Sequence, residues 1–225
     1  MEPEISCIRL PLPLNVSKVN VYLVKAGGSY YLIDTGMTNA CRQLEAELER
    51  MGCQPGNLKL VLLTHGDFDH IGNAVYLRQR YDTKIALHAR DAGMLEHGDM
   101  FWERKIDHRV LKGLMQLIMP FKAGNRGTPD ICLEDGASLS EYGWDARVLN
   151  TPGHSSGSIC ILTPSGELFC GDLFTNSTGK AMLNSMMYDR AAGKLSLERL
   201  KTLPIQIVYP GHGPSLSWDA LSMVS

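Results

Sequence analysis

The sequence predicts an α/β (α+β) fold in which two sheets pack face to face with helices on the outside. Three observations carry that expectation. Apolar runs of strand length recur through both halves of the chain, stretches with helical spacing interrupt them, and histidines or aspartates beside glycine follow several of the runs directly. Each strand-rich half has an apolar face to hide, and the simplest way to hide both is against each other. At 225 residues the chain can bury a substantial core. We expect one domain over residues 1–225, with a helical insertion at about 98–126.

Taken in order, "VNVYLVKAG" and "SYYLIDTG" read as two strands of a hairpin turned at Gly27 and Gly28. "TNACRQLEAELERMG" places Cys41, Leu44, Leu48 and Met51 on one stripe of an amphipathic helix that Gly52 stops. "NLKLVLLTH" is a buried strand, "IGNAVYLRQRYD" a helix and "TKIALH" another strand. The second half is expected to begin near Ile131, with strands "ARVLNT", "SICILTP" and "GELFCGD", a helix "LSLERLKTL" and a last strand "IQIVYP".

Composition narrows the function. Hydrophobic residues at 44% and charged residues at 20% are ordinary for a soluble globular chain. A formal net charge of -2 argues against a nucleic-acid partner, which selects for a basic face. No apolar run approaches the roughly twenty residues that span a bilayer. The N-terminus "MEPEISCIRLPLPL" is acidic where a signal peptide is basic, and prolines break it. The expectation is a cytoplasmic protein acting on a small molecule, with no nucleic acid and no membrane. Its six cysteines contain no CxxC pair and are expected as buried thiols.

The chemistry gathers at strand ends. "LTHGDFDHIGN" packs His65, Asp67, Asp69 and His70 into six positions directly after an apolar strand. His154 in "NTPGHSSGS" and His212 in "YPGHG" follow further strands, and Asp172 in "CGDLF" closes another. Four of the seven histidines thus occupy loops that a rigid scaffold can aim at one point. One such histidine is ordinarily structural or exposed, but four of them beside aspartates point to a metal. His88, His97 and His108 fit no ligand pattern and are read as structural or exposed.

"LIDTG", "THGDFDH", "TPGHSSGS", "CGDLF" and "PGHG" resemble, in order, the motifs of the metallo-β-lactamase fold superfamily over about Val19–Gly213. The resemblance implies a four-layer αββα sandwich with two metal ions at one edge of its sheets. It implies that His65, Asp67 and His154 hold the first ion and that Asp69, His70 and His212 hold the second. Asp172 would bridge the two ions, and Asp34 would position the metal loop. The implied activity is attack by a metal-bound hydroxide on an ester, thioester or lactone carbonyl. Asp69 carries a possible second, catalytic role in moving a proton to the leaving group.

Position 67 departs from the family's usual HxHxDH pattern. Aspartate there brings the carboxylates at the centre to three, Asp67, Asp69 and Asp172, so that with one hydroxide two divalent ions would be neutralised. Carboxylate is also a harder ligand than imidazole, which moves the expected metal from zinc toward iron or manganese. Asp67→His is then expected to return the preference to zinc. The flavodiiron branch carries a glutamate at this position, and a diiron redox enzyme handling oxygen, nitric oxide or a persulfide is the alternative. The length of the chain, the twelve residues after Gly213 and Asp172 in place of cysteine fit a compact stand-alone hydrolase best.

Two further regions are candidates for substrate contact. Trp102, Leu111, Leu114, Met115, Ile118, Met119 and Phe121 make the insertion apolar, as a lid or as a homodimer interface would be. Lys180, Asn184 and Tyr188, in the polar segment after Asp172, could meet a substrate carbonyl or carboxylate.

Overall fold

Gly27 and Gly28 both take positive φ, +57° and +81°, which lets strand β2 (Lys18–Ala26) turn in two residues into β3 (Ser29–Ile33). This hairpin nucleates the first sheet of the computed structural model, which describes residues 3–102, 104, 113 and 121–222. β1 (Glu4–Pro11) pairs antiparallel with β2 on one side. β4 (Leu58–Leu62), β5 (Lys84–His88) and β6 (Ile131–Leu133) extend the sheet in parallel on the other. The second sheet runs β13 (Leu216–Ser217), β12 (Ile207–Pro210), β9 (Glu167–Gly171), β8 (Ile159–Leu162), β7 (Arg147–Asn150). A two-stranded ribbon, β10 (Phe174–Thr175) with β11 (Met182–Leu183), follows β9.

Period-two alternation sorts each strand's side chains between layers. Tyr31 and Ile33 of β3, with Leu60 and Leu62 of β4, point between the sheets and meet Trp144, Val148, Ile161 and Phe169. Leu32 and Val61 point the other way, onto helices α1 (Cys41–Arg50) and α3 (Ala74–Tyr81). On the far side, Cys160, Leu162, Leu168 and Val208 cover α5 (Arg190–Leu200) and α6 (Trp218–Ser222). Three apolar layers between four layers of elements make the αββα sandwich.

The departures from the expected elements have local causes. Glu4–Pro11 forms a full edge strand in spite of its proline, because Pro11 falls on its last residue and Ile8 and Leu10 alternate into the core. Ile131–Leu133 does not open the second sheet; it completes the first beside β5. Helix α5 starts five residues before the expected "LSLERLKTL", where the Asp189 side chain accepts the Ala192 N–H as an N-cap. α4 (Ala92–His97) and the short α2 (Phe68–Ile71) have no periodic signature of their own. All six cysteines are free thiols; Cys53, Cys160 and Cys170 are buried as expected, but Cys7 and Cys132 are exposed on β1 and β6. Most of the apolar insertion, including Leu111, Leu114, Met115, Ile118 and Met119, and His108 with it, lies outside the described residues. Among the described residues no helix is long and apolar enough to cross a membrane.

Candidate metal centre

The parallel strands β3 and β4 end side by side, and their exits build the first part of the centre. Asp34 follows β3 in a left-handed conformation (φ 61°) that an aspartate tolerates better than most residues. Its Oδ1 accepts the Thr64 backbone N–H at 2.8 Å, and its Oδ2 accepts from the Thr64 hydroxyl and from His70 Nδ1, both at 2.8 Å. His70 sits on α2, a one-turn helix that begins directly after Asp67. Asp34 therefore fixes the ring of His70 with Nε2 turned inward, as an outer partner does for a metal-binding imidazole.

The other two histidines are held in the same manner by backbone. His154 Nδ1 donates to the Met186 carbonyl at 2.6 Å, and His212 Nδ1 to the Lys18 carbonyl at 2.9 Å. Asp91, which no motif marked, ties two of the loops together. It accepts from Gly66 N–H, Gly157 N–H and the Ser155 hydroxyl at 3.0, 2.9 and 2.6 Å.

The side chains converge. The rings of His65 and His70 stand 4.0 Å apart between centroids, and those of His65 and His154 4.6 Å. Asp172 stands between two groups: its Oδ1 is 3.5 Å from His70 Nε2, and its Oδ2 is 3.6 Å from His212 Nε2 and 4.0 Å from His154 Nε2. Among the described residues two sets could each hold a metal ion, His65 with His154 and Asp172, and Asp69 with His70 and His212. Buried polar atoms normally find a hydrogen bond. His65 Nε2, His70 Nε2 and Asp172 Oδ1 are buried and have none. Three orphaned donor atoms on a shared centre are what a pair of cations would satisfy, so this chain's residues fit the metal pair of the resemblance.

Asp67 adds a feature that the sequence did not foretell. Its Oδ2 is 3.0 Å from His154 Nε2 and 3.9 Å from His65 Nε2, beside the first group though not one of its three members. Its Oδ1 accepts from Arg104 Nη2 at 2.6 Å, and both side chains are about nine-tenths buried. Burial opposes the charge on Asp67, but Arg104 and His154 outweigh it and bring its carboxyl down to about 2. The same contest leaves His212 pushed up to about 9, burial being overcome by Asp172 and Asp69. His65, with burial and two imidazoles around it, is driven well below its ordinary value and stays neutral, ready to ligate.

Of the substrate candidates, Asn184 is buried and its Oδ1 accepts the Met186 N–H at 3.0 Å, which shapes the turn that offers its carbonyl to His154. Lys180 is exposed and Tyr188 half-buried on the same segment. Trp102 stacks on His97 of α4, and Phe121 on Phe68, so the Phe121 end of the insertion rests beside the metal loop.

The chain belongs to the metallo-beta-lactamase superfamily, whose family model matches residues 14–212. It is an enzyme of that superfamily, a metal-dependent hydrolase. It is 29% identical over 247 residues to the probable metallo-hydrolase YqjP of Bacillus subtilis, covering 97% of this chain and 74% of that protein. It is 28% identical over 164 residues to the hydroxyacylglutathione hydrolase GloC of Haemophilus influenzae, covering 70% of this chain and 69% of that protein. Among solved structures, a di-iron-bound form of TTHA1623 superposes with a TM-score of 0.70 at 30% identity, over 93% of this chain and 95% of that one.

Proposed function

We propose that the chain hydrolyses the carbonyl of an ester, thioester or lactone at a pair of divalent ions, zinc, iron or manganese. His65, Asp67 and His154 would hold one ion, Asp69, His70 and His212 the other, and Asp172 would serve both. The observation that carries this reading is the set of orphaned atoms His65 Nε2, His70 Nε2 and Asp172 Oδ1 at the junction of two donor groups. When bound, such ions lower the pKa of water toward neutrality and polarise a carbonyl oxygen.

The chain's own residues supply positioning and proton traffic. Asp69 keeps a side-chain exposure of 20%, against 5% for Asp172 and 9% for Asp67, so it faces the open side of the centre. Burial works against its charge, but His70 and His212 hold its carboxyl well below the usual range. It stands as a carboxylate at neutral pH on the open side of the centre, placed to guide a proton toward a leaving group. Asp34, Met186 and Lys18 fix the three rings, so little reorganisation is left for the reaction itself.

The segments that hold two of the rings carry exposed apolar side chains. Leu14 and Val16, 89% and 75% exposed, lie just before Lys18, which holds His212. Met186, 71% exposed, holds His154 through its backbone carbonyl. The name of GloC, a hydroxyacylglutathione hydrolase and so one acting on a thioester, favours a thioester among the three. The test is turnover by metal-loaded protein across S-acylglutathiones, aryl esters and lactones of increasing acyl length. Activity that rises with acyl length supports the reading; no turnover by any of them with two ions bound would overturn it. The likeness to a di-iron-bound structure supports a second reading, redox chemistry at two irons, which would show as visible absorption and turnover only with a thiol or electron donor.

A further inference from the structure

We infer that Arg104 decides which metal the first donor group accepts, by cancelling the charge that Asp67 adds; this rests on the metal-pair reading above. Arg104 lies within the apolar insertion, far in sequence from any metal motif, yet its side chain reaches the centre. Its Nη2 is 2.6 Å from Asp67 Oδ1, and its Nε is buried with no hydrogen-bond partner among the described residues, so the guanidinium is committed to the centre rather than to a structural network. The described residues that lead to it are anchored. Arg104 N–H donates to the Phe101 carbonyl at 3.0 Å, Trp102 stacks on His97 with centroids 3.8 Å apart, and an added Cβ on Gly93 would meet the Trp102 ring at 2.2 Å.

Two consequences follow from the geometry. The centre carries three carboxylates and one guanidinium, the net charge of a centre with two carboxylates, so the extra charge of Asp67 is not available to the ions. One of the two Asp67 oxygens is also spent on Arg104, leaving Oδ2 as its only donor atom toward His65 and His154. A singly donating, charge-compensated aspartate resembles an imidazole more than a free carboxylate does. The drift from zinc toward iron or manganese expected from Asp67 is therefore held back by Arg104, and Asp67→His alone would leave an uncompensated cation, not a better zinc site.

The experiment loads the full chain and its variants with equimolar zinc, manganese and anaerobic ferrous iron, then counts each metal per chain by elemental mass spectrometry after gel filtration. R104M is expected to shift the manganese-to-zinc ratio by about tenfold or more, while R104K, which keeps the charge, stays near wild type. D67H is expected to lose about one ion per chain, and D67H/R104M, free of both charges and of any unpaired ion, to regain it. An R104M ratio equal to wild type, or D67H holding as much metal as the double variant, would overturn the inference while the metal pair stands. A wild-type chain with fewer than two ions would overturn both.

Discussion

Replacing Asp34 by asparagine separates the scaffolding of the centre from its charge. Asparagine is the closest match in shape and accepts the left-handed backbone at φ 61°, so the exchange adds no strain. Its Oδ1 can still accept the Thr64 N–H, now as a neutral bond, at a cost of about 1–2 kcal/mol. The effect on His70 is of another kind. Its Nδ1, 2.8 Å from Asp34 Oδ2, would face an amide N–H₂ and must give up its proton to accept from it. The proton moves to Nε2, the atom that faces Asp172 at 3.5 Å and would ligate the second ion. Loss of such an outer partner weakens metal binding about 10–100-fold, or about 1.4–2.7 kcal/mol. The assay is zinc affinity by competition with a chromophoric chelator, beside a melting curve of the metal-free chain. Weakened binding of one ion out of two, with the metal-free melt lowered by only a few degrees, is the expected result. Both ions retained at wild-type affinity would refute the claim that Asp34 sets the His70 tautomer.

Other perturbations follow from the same geometry. His212, raised from 6.5 to about 9 in the folded chain, contributes stability that is fully present below 6.5 and lost as the pH rises through 9. The metal-free protein should lose up to about 3 kcal/mol between those limits, with the loss removed in His212→Asn; urea melts at pH 6.5, 8 and 9.5 measure it. In Gly211→Ala the new Cβ falls 2.4 Å from Asp172 Oδ1 and 2.7 Å from His70 Cε1, so metal content should fall while circular dichroism stays unchanged. Phe169→Ala removes a fully buried ring that contacts Tyr22 and Tyr209 between the sheets, and chemical denaturation should register a loss of about 3–5 kcal/mol.

How much of this was legible in the sequence depended on how local each signal is. Asp34, His65, His70, His154, Asp172 and His212 were readable because each lies in the segment that leaves a strand whose apolar run marks its end. The hairpin at Gly27 and Gly28 and the stripe on α1 were likewise local patterns. Asp91 and Arg104 were not, because their work is done across gaps of 64 residues to Ser155 and 37 to Asp67, and neither sits in a periodic or glycine-marked stretch. Asp91 did carry a faint signal, an acid just ahead of an apolar helix, but nothing in it points to Ser155. The edge strand Glu4–Pro11 was hidden by Pro11 and Pro13, one on its last residue and one beyond it, a placement that becomes meaningful only once β2 is seen beside it. Asn184 was chosen as a substrate contact for its polarity, whereas burial commits its Oδ1 to the turn behind His154.

The central claim is that two donor groups sharing Asp172 hold two divalent ions. Its most direct test is the number of ions per chain, by elemental mass spectrometry, in the intact protein and in His154→Ala, His212→Ala and Asp172→Ala. The account predicts two ions in the intact chain, one in each histidine variant, and fewer than one in Asp172→Ala. A single ion in the intact chain, or an undiminished count when Asp172 is removed, would contradict it.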